Sequence, residues 1–303
     1  MRNLKKQISS ALIILFMAFF FISCVNEKHD EAKSETETDK GAAVEKTSLP
    51  YDLENPVKYN MPHNLFEISG IVFHNGDPKQ VFAIQDEDGD LFYLGLNDKE
   101  SKFTKFGGKG DYEDLTIIKE QIIVLKSNGE LHMFPMSELN KAEALNVVKL
   151  KGIVPKAEYE GLAADEKAGK IYILTKGSKA DEQNKATSIY AFDFAADNTL
   201  KPAGTFNLAF KEIEALSGEK KVKFKPSALA KNQRTNEWYI LSSVNKLLVV
   251  ADENFKIKAA YPLKGGNFNQ PEGIAFDKDN NLYISNEGGT LAAGNILQFK
   301  LKK

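Results

Sequence analysis

Glu272-Gly273-Ile274-Ala275-Phe276 is a polar residue, then a small one, then three apolar residues opening a strand. A looser form of the pattern, a polar residue, then a small or acidic one, then three mostly apolar residues, occurs four more times, as Ser69-Gly70-Ile71-Val72-Phe73, Glu113-Asp114-Leu115-Thr116-Ile117, Glu160-Gly161-Leu162-Ala163-Ala164 and Ser227-Ala228-Leu229-Ala230-Lys231. Counted at the second position, the copies are spaced by 44, 47, 67 and 45 residues. Strand-bearing units repeated every 40–50 residues or so indicate radial repetition, most often a β-propeller of four-stranded blades.

Working outward from each copy, a second strand, a polar turn and a third strand follow. The first unit runs Val81-Phe82-Ala83-Ile84, a turn at Asp86-Glu87-Asp88-Gly89-Asp90, then Leu91-Phe92-Tyr93-Leu94. The last runs Leu282-Tyr283-Ile284-Ser285, a glycine-rich loop, then Ile296-Leu297-Gln298-Phe299. Short β-branched and aromatic runs between Asn, Asp and Gly are hairpin signals. Weaker fourth runs lie at 103–106, 146–150, 203–208 and 257–263. The fifth unit has none, and Pro56 to Asn60, ahead of the first copy, supplies one. Strand lending between termini hides the edge that an open ring would expose. The long 67-residue interval holds apolar residues at helical spacing over 209–219, read as a short helix or loop insertion. The fold expected is all-β: a five-bladed β-propeller over 56–303, with an N-terminal strand closing the last blade.

The ends of the chain carry separate information. Arg2, Lys5 and Lys6 precede an apolar run from Ala11 to Ile22, which ends at Ser23-Cys24. Residues 1–23 therefore read as a signal peptide. Cys24 is the sole cysteine, so no internal disulfide forms. Its place at the end of the apolar run resembles a bacterial lipoprotein signal, which makes Cys24 the lipidated N-terminus and anchors the protein to the envelope, with the outer membrane the expected site. Residues 24–55 read as a disordered acidic tether, rich in charge and poor in aromatics.

Removing the signal takes three basic residues and no acid, which moves the formal charge from −2 to −5. With no basic stripe, nucleic acid is not an expected partner. The four histidines, at 29, 63, 74 and 132, are scattered, so Ser-His-Asp and Cys-His chemistry has little support.

Chemistry is expected where the repeats converge. In a propeller the innermost strands face one axis, so Ser69, Glu113, Glu160, Ser227 and Glu272 form a ring near one mouth. Three carboxylates so placed repel unless a cation or a proton neutralises them. Calcium takes 6–8 oxygen ligands, which makes Glu113, Glu160 and Glu272 candidate ligands. The competing reading is that these side chains bond the neighbouring blade's amides and lock the ring. Asp86, Glu87, Asn286 and Glu287, at the ends of second strands, are expected around the same mouth.

Ile68-Ser69-Gly70-Ile71, Tyr112-Glu113-Asp114-Leu115, Tyr159-Glu160-Gly161-Leu162-Ala163, Pro226-Ser227-Ala228-Leu229 and Gln270-Pro271-Glu272-Gly273-Ile274-Ala275 together resemble the SdiA-regulated family, over about residues 60 to 300. That resemblance implies a five-bladed propeller akin to NHL-repeat proteins and an associated calcium ion, with Glu113, Glu160 and Glu272 as ligands. Lys126 and Ser243-Val244 stand where the family tends to carry acidic residues. It implies no enzymatic activity. The expected function is an envelope-anchored, monomeric module binding a ligand or an envelope protein. The alternative is a calcium-dependent hydrolase of lactonase or phosphoesterase type.

Overall fold

A computed structural model of the chain describes residues 48–289 and 292–302. The signal segment, Cys24 and the tether up to residue 47 lie outside the described residues.

The repeated runs form strands in the anticipated order. After β1 (Val57–Asn60), the first blade holds β2 (Ile68–Val72), β3 (Val81–Gln85), β4 (Asp90–Leu94) and β5 (Lys102–Lys105). The second holds β6 (Tyr112–Ile118), β7 (Gln121–Lys126), β8 (Leu131–Pro135) and β9 (Val148–Leu150). In the third, β10 (Glu158–Asp165) and β11 (Lys170–Gly177) are followed by a short helix, α1 (Lys179–Asn184), then β12 (Ala186–Phe194) and β13 (Leu200–Ala209). Helix α2 (Phe210–Ser217) leads to the fourth blade, β14 (Ala228–Asn232), β15 (Glu237–Ser242), β16 (Leu247–Ala251) and β17 (Ile257–Pro262). The fifth consists of β18 (Pro271–Phe276), β19 (Leu282–Asn286) and β20 (Asn295–Phe299), with β1 pairing antiparallel to β20 as its outer strand. The five innermost strands contact one another in a closed ring. The chain is a five-bladed β-propeller with a shared-terminus closure.

Helix α2, which buries Phe210 and Ile213, helix α1, the long strands β12 and β13 and the segment 218–227 together fill the long interval in the repeat. Helix α1 lies between the second and third strands of the third blade; Ser178 caps it by accepting from the Asp181 amide at 3.0 Å, and Asp181 accepts from the Ser188 hydroxyl at 2.6 Å.

Hydrophobic clusters fill the seams between blades. In the cluster spanning the third and fourth blades, the fully buried Trp238 stacks on Phe255 at 4.7 Å and meets Tyr172 edge-on at 4.6 Å. Each large side chain so buried contributes roughly 1.5–3 kcal/mol. The folded part begins before residue 56. Leu49 and Tyr51 are buried between the fourth and fifth blades, so the C-terminal end of the expected tether is instead part of the core. The Tyr51 hydroxyl donates to the Asn280 carbonyl at 2.9 Å and accepts from Asn232 Nδ2 at 3.4 Å, tying those two blades together.

Candidate functional site

The motif's first two positions have distinct structural jobs. At the first, the ladder between inner and second strands slips by one residue, between Tyr112 and Asp114, between Tyr159 and Gly161, and between Pro271 and Gly273, with a matching slip between Ile68 and Ile71. A β-bulge leaves one residue out of the ladder and re-aims its side chain. Glu113, Glu160 and Glu272 are those residues, and the bulge swings them out of the sheet's alternation toward the axis.

The second position faces the neighbouring blade. A Cβ on Gly70 would lie 2.4 Å from Asp114 Oδ1, and one on Gly273 would lie 2.5 Å from the Ser69 carbonyl oxygen. Close approach of adjacent inner strands therefore demands glycine at these two places.

Groups other than the glutamates carry much of the locking of the ring. The Ser69 hydroxyl donates to the Glu113 carbonyl at 2.5 Å, and the Ser227 hydroxyl to the Pro271 carbonyl at 2.9 Å. The Ser285 hydroxyl closes the last seam on the Ser69 carbonyl at 2.7 Å. Asp114, fully enclosed, accepts the Leu115 and Leu162 amides, both at 2.8 Å, and so bridges the second and third blades. Burial pushes its carboxyl well above the usual range, while those two N–H groups pull the other way. Between the third and fourth blades, the nearly buried pair Lys231–Asp165 does the same work.

The ring glutamates also bond across seams, Glu113 with Glu160 and Glu272 with Ser243, and they act on one another electrostatically. Burial, and then the charge of Glu160, raise Glu113 to about 9. Burial and Glu160 also raise Glu272 to about 7, against the pull of Lys176. Glu160, only 4% exposed, is raised by burial, opposed by a direct ion pair with Lys176. Lys176 also lies 3.7 Å from Glu158. Burial works against its charge, but the hydrogen bond and charge of Glu160, with Glu158 and Glu113, carry its pKa above the ordinary value.

A cleft of about 360 Å³ opens here, lined by Glu160, Lys176, Lys225, Ser243, Lys246 and Glu272 among others. Lys246 donates to the Asn269 carbonyl. The exposed Val244 forms part of the rim.

The second-strand ends divide. Asp86 is raised by burial and by the charges of Glu87 and Asp111; Glu287 is raised by burial and by Asp86 and Glu67. These two share the mouth, joined by Glu67, which the sequence reading did not single out. Glu87 is exposed and stands 3.8 Å from Lys109. Asn286 is 1% exposed and donates to Asn295 Oδ1 at 3.2 Å. Ser69 and Ser227 spend their hydroxyl protons on backbone carbonyls and lie in the ring wall.

A family model described as SdiA-regulated matches residues 51–290. The chain belongs to that family. No curated protein matches it in sequence. Among solved structures it is similar to the glutaminyl cyclase of Myxococcus xanthus, at a TM-score of 0.54 and 14% identity over 81% of this chain and 94% of that one. It is also similar to a regucalcin from Agrobacterium tumefaciens titled a calcium-binding protein, at 0.47 and 14% over 82% and 94%, and to a luciferin-regenerating enzyme at 0.49 and 10% over 81% and 95%. At these identities the likeness is one of fold.

The donor set decides how a family-implied calcium fits. Among the described residues no group of three or more His, Cys, Asp or Glu side chains is disposed to hold a metal ion. The cation beside Glu160 is the Lys176 ammonium, and the ring hydroxyls are turned to carbonyls. Calcium on Glu113, Glu160 and Glu272 does not fit this arrangement unless Lys176 leaves. Lys176 is the residue that sequence reasoning undervalued. Its signal was available: it lies near the end of the second strand of Glu160's own blade, in a motif ring that needs a cation.

Proposed function

We propose that this SdiA-regulated protein is a non-catalytic, envelope-anchored binding module that holds a small, charged polar ligand at its axial mouth. The observation that supports this best is the convergence of Glu113, Glu160 and Glu272 around Lys176 beside an open cleft lined by both signs of charge. Partly desolvated charges recognise polar ligands strongly because low local dielectric magnifies each contact. The Ser69 and Ser227 hydroxyls serve the blade seams, donating to backbone carbonyls, which favours binding over nucleophilic catalysis by either. The anchor rests on Cys24 and its preceding apolar run; a Cys24→Ser variant should lose incorporation of labelled fatty acid and leave the membrane fraction. For the mouth, calorimetry against charged metabolites and short peptides should give saturable binding that Glu272→Gln weakens. Absence of binding across the panel would refute this reading.

One observation favours a second reading, the calcium-dependent hydrolase. Burial and the Glu160 charge raise Glu113 to about 9, whereas Lys176 pulls the neighbouring Glu160 down against its burial, and a pair of carboxyls treated differently is how acid and base roles are assigned. Calcium-dependent turnover of lactones or phosphoesters, lost in Glu113→Gln with folding intact, would establish it in place of the binding module.

A further inference from the structure

A second cavity lies at the other end of the axis, where the inner strands finish. It holds about 390 Å³, and all five blades contribute to it. Val72, Ile117, Ala164, Ala230 and Phe276, one from each inner strand, line it, and each keeps part of its surface uncovered. Apolar side chains arranged around one axis in this way make a round, apolar throat.

The turns that follow the inner strands form the rim of this cavity, and their charges are unevenly spent. Glu120 pairs with His74 at 2.8 Å. Both Glu166 carboxylate oxygens accept the Lys119 amide at 3.3 Å, and the Lys119 ammonium donates to the Phe194 carbonyl at 3.2 Å. Deeper in the wall, Lys231 pairs with Asp165, while Asp114 and Asp277 accept N–H and O–H groups of the protein. That leaves Arg234 and Lys278, both exposed at the rim; among the described residues neither side chain has an ion pair or a hydrogen bond. They stand on adjacent blades whose turns are pinned to one another. The Tyr51 hydroxyl accepts from Asn232 Nδ2 at 3.4 Å and from Asn280 Nδ2 at 3.3 Å. Asn232 Oδ1 in turn accepts the Arg234 amide at 3.1 Å, and the Gly76 carbonyl accepts the Lys278 amide at 2.8 Å. One exposed cation is an ordinary solvated residue. Two set side by side on fixed turns above an apolar throat are a receptor for an anion, and a guanidinium fork matches the two oxygens of a carboxylate or phosphate.

We infer that this cavity is a second binding site, made for a single-chain amphiphile. An unbranched hydrocarbon tail lies along the axis among the five apolar side chains, and an anionic head, carboxylate or phosphate, meets Arg234 and Lys278. The volume falls within the roughly 300–1,000 Å³ of small-molecule pockets. No residue borders both this cavity and the cleft at the mouth, so the inference stands apart from the binding reading above.

The test is calorimetry on the intact lipid-free chain, below the micelle concentration, with decanoate, decyl phosphate, octanoate, butyrate and decanol. Decanoate or decyl phosphate should bind once per chain, and the tighter of the two identifies the head. Octanoate should bind about tenfold more weakly than decanoate, because two methylenes leave the throat, and butyrate should not bind. Decanol, which has the tail without the charge, should be weaker by about tenfold or more. In Arg234→Gln/Lys278→Gln, decanoate should fall to the affinity of decanol. In Ala230→Leu, which crowds the throat, both should weaken together, with thermal melts confirming that each variant folds. The rim variant alters only exposed, unpaired side chains, so it remains informative if Ala230→Leu does not fold. No binding by either ten-carbon anion, equal affinity for decanoate and decanol, or binding that ignores the rim variant would overturn the inference. None of these outcomes bears on the mouth.

Discussion

Replacing Glu113 by Gln is expected to stabilise the propeller, and by more as pH rises. Burial and the neighbouring Glu160 charge lift the Glu113 carboxyl from its ordinary 4.5 to about 9. A group whose pKa rises on folding binds its proton more tightly in the folded state. Its favourable contribution is complete below the unfolded pKa and is lost as pH climbs through the folded value. From pH 4.5 to 7 the loss covers two and a half pH units at about 1.36 kcal/mol each, or about 3.4 kcal/mol. At pH 5 it is about 0.7 kcal/mol. Gln has the shape of the protonated acid and no proton to lose, so the variant escapes the whole slope. Water around the partly exposed carboxyl trims the gain at pH 7 to about 2–3 kcal/mol. For a domain of this size that is roughly 4–12 °C in melting temperature. Thermal and urea unfolding of both proteins at pH 5, 6, 7 and 8 measures it. Parallel stability curves, or a variant less stable than wild type at pH 8, would refute the claim that Glu113 is desolvated at the axis beside Glu160.

Asp114→Ala leaves the Leu115 and Leu162 amides without their acceptor and should cost about 2–4 kcal/mol, with Asp114→Asn milder because one carbonyl oxygen remains; urea midpoints compare them. Lys176→Met strands the buried Glu160 charge and should destabilise by about 2–4 kcal/mol at pH 8 and by less as pH falls, since burial raises the Glu160 carboxyl and eases its protonation. Calcium should raise the melting temperature of that variant more than that of wild type, since the tethered cation is gone; equal responses would contradict the assignment of Lys176 as the counter-charge. Gly273→Ala puts a methyl 2.4 Å from Ser285 Oγ and 2.5 Å from the Ser69 carbonyl oxygen, so it should destabilise the closing seam by about 1–3 kcal/mol; an unchanged melt would show that the seam is looser than described.

The architecture was readable because a closed ring repeats its strand pattern and the five motif copies keep their order of polar, small and apolar residues. The borrowed strand at 57–60 was readable too, since the last unit lacked a fourth run. What local pattern could not convey is which polar group does which job. Asp114 looks like a variant of the glycine position, yet it is the acceptor that joins two blades, because only there does a carboxylate face two free amides. The serines look like ligands and are locks, since a hydroxyl that reaches a backbone carbonyl is satisfied at once. The bulges that turn Glu113, Glu160 and Glu272 toward the axis leave no mark in composition. Leu49 and Tyr51 read as tether because burial of so short an apolar segment depends on a groove between blades remote in sequence. Helix α1 is only six residues long and polar, held by Ser178 and Asp181, so periodicity does not reveal it.

The account turns on three carboxyl groups from separate blades sharing one desolvated place, and their own titration tests this most directly. Carbon-13 NMR of side-chain carboxyls, with Glu→Gln variants assigning the signals, follows each from pH 4 to 10. The account predicts a Glu113 midpoint near 9 and a Glu272 midpoint near 7, with Glu113 moving down when Glu160 becomes Gln. Three independent midpoints close to 4.5, untouched by substitution of the others, would contradict it.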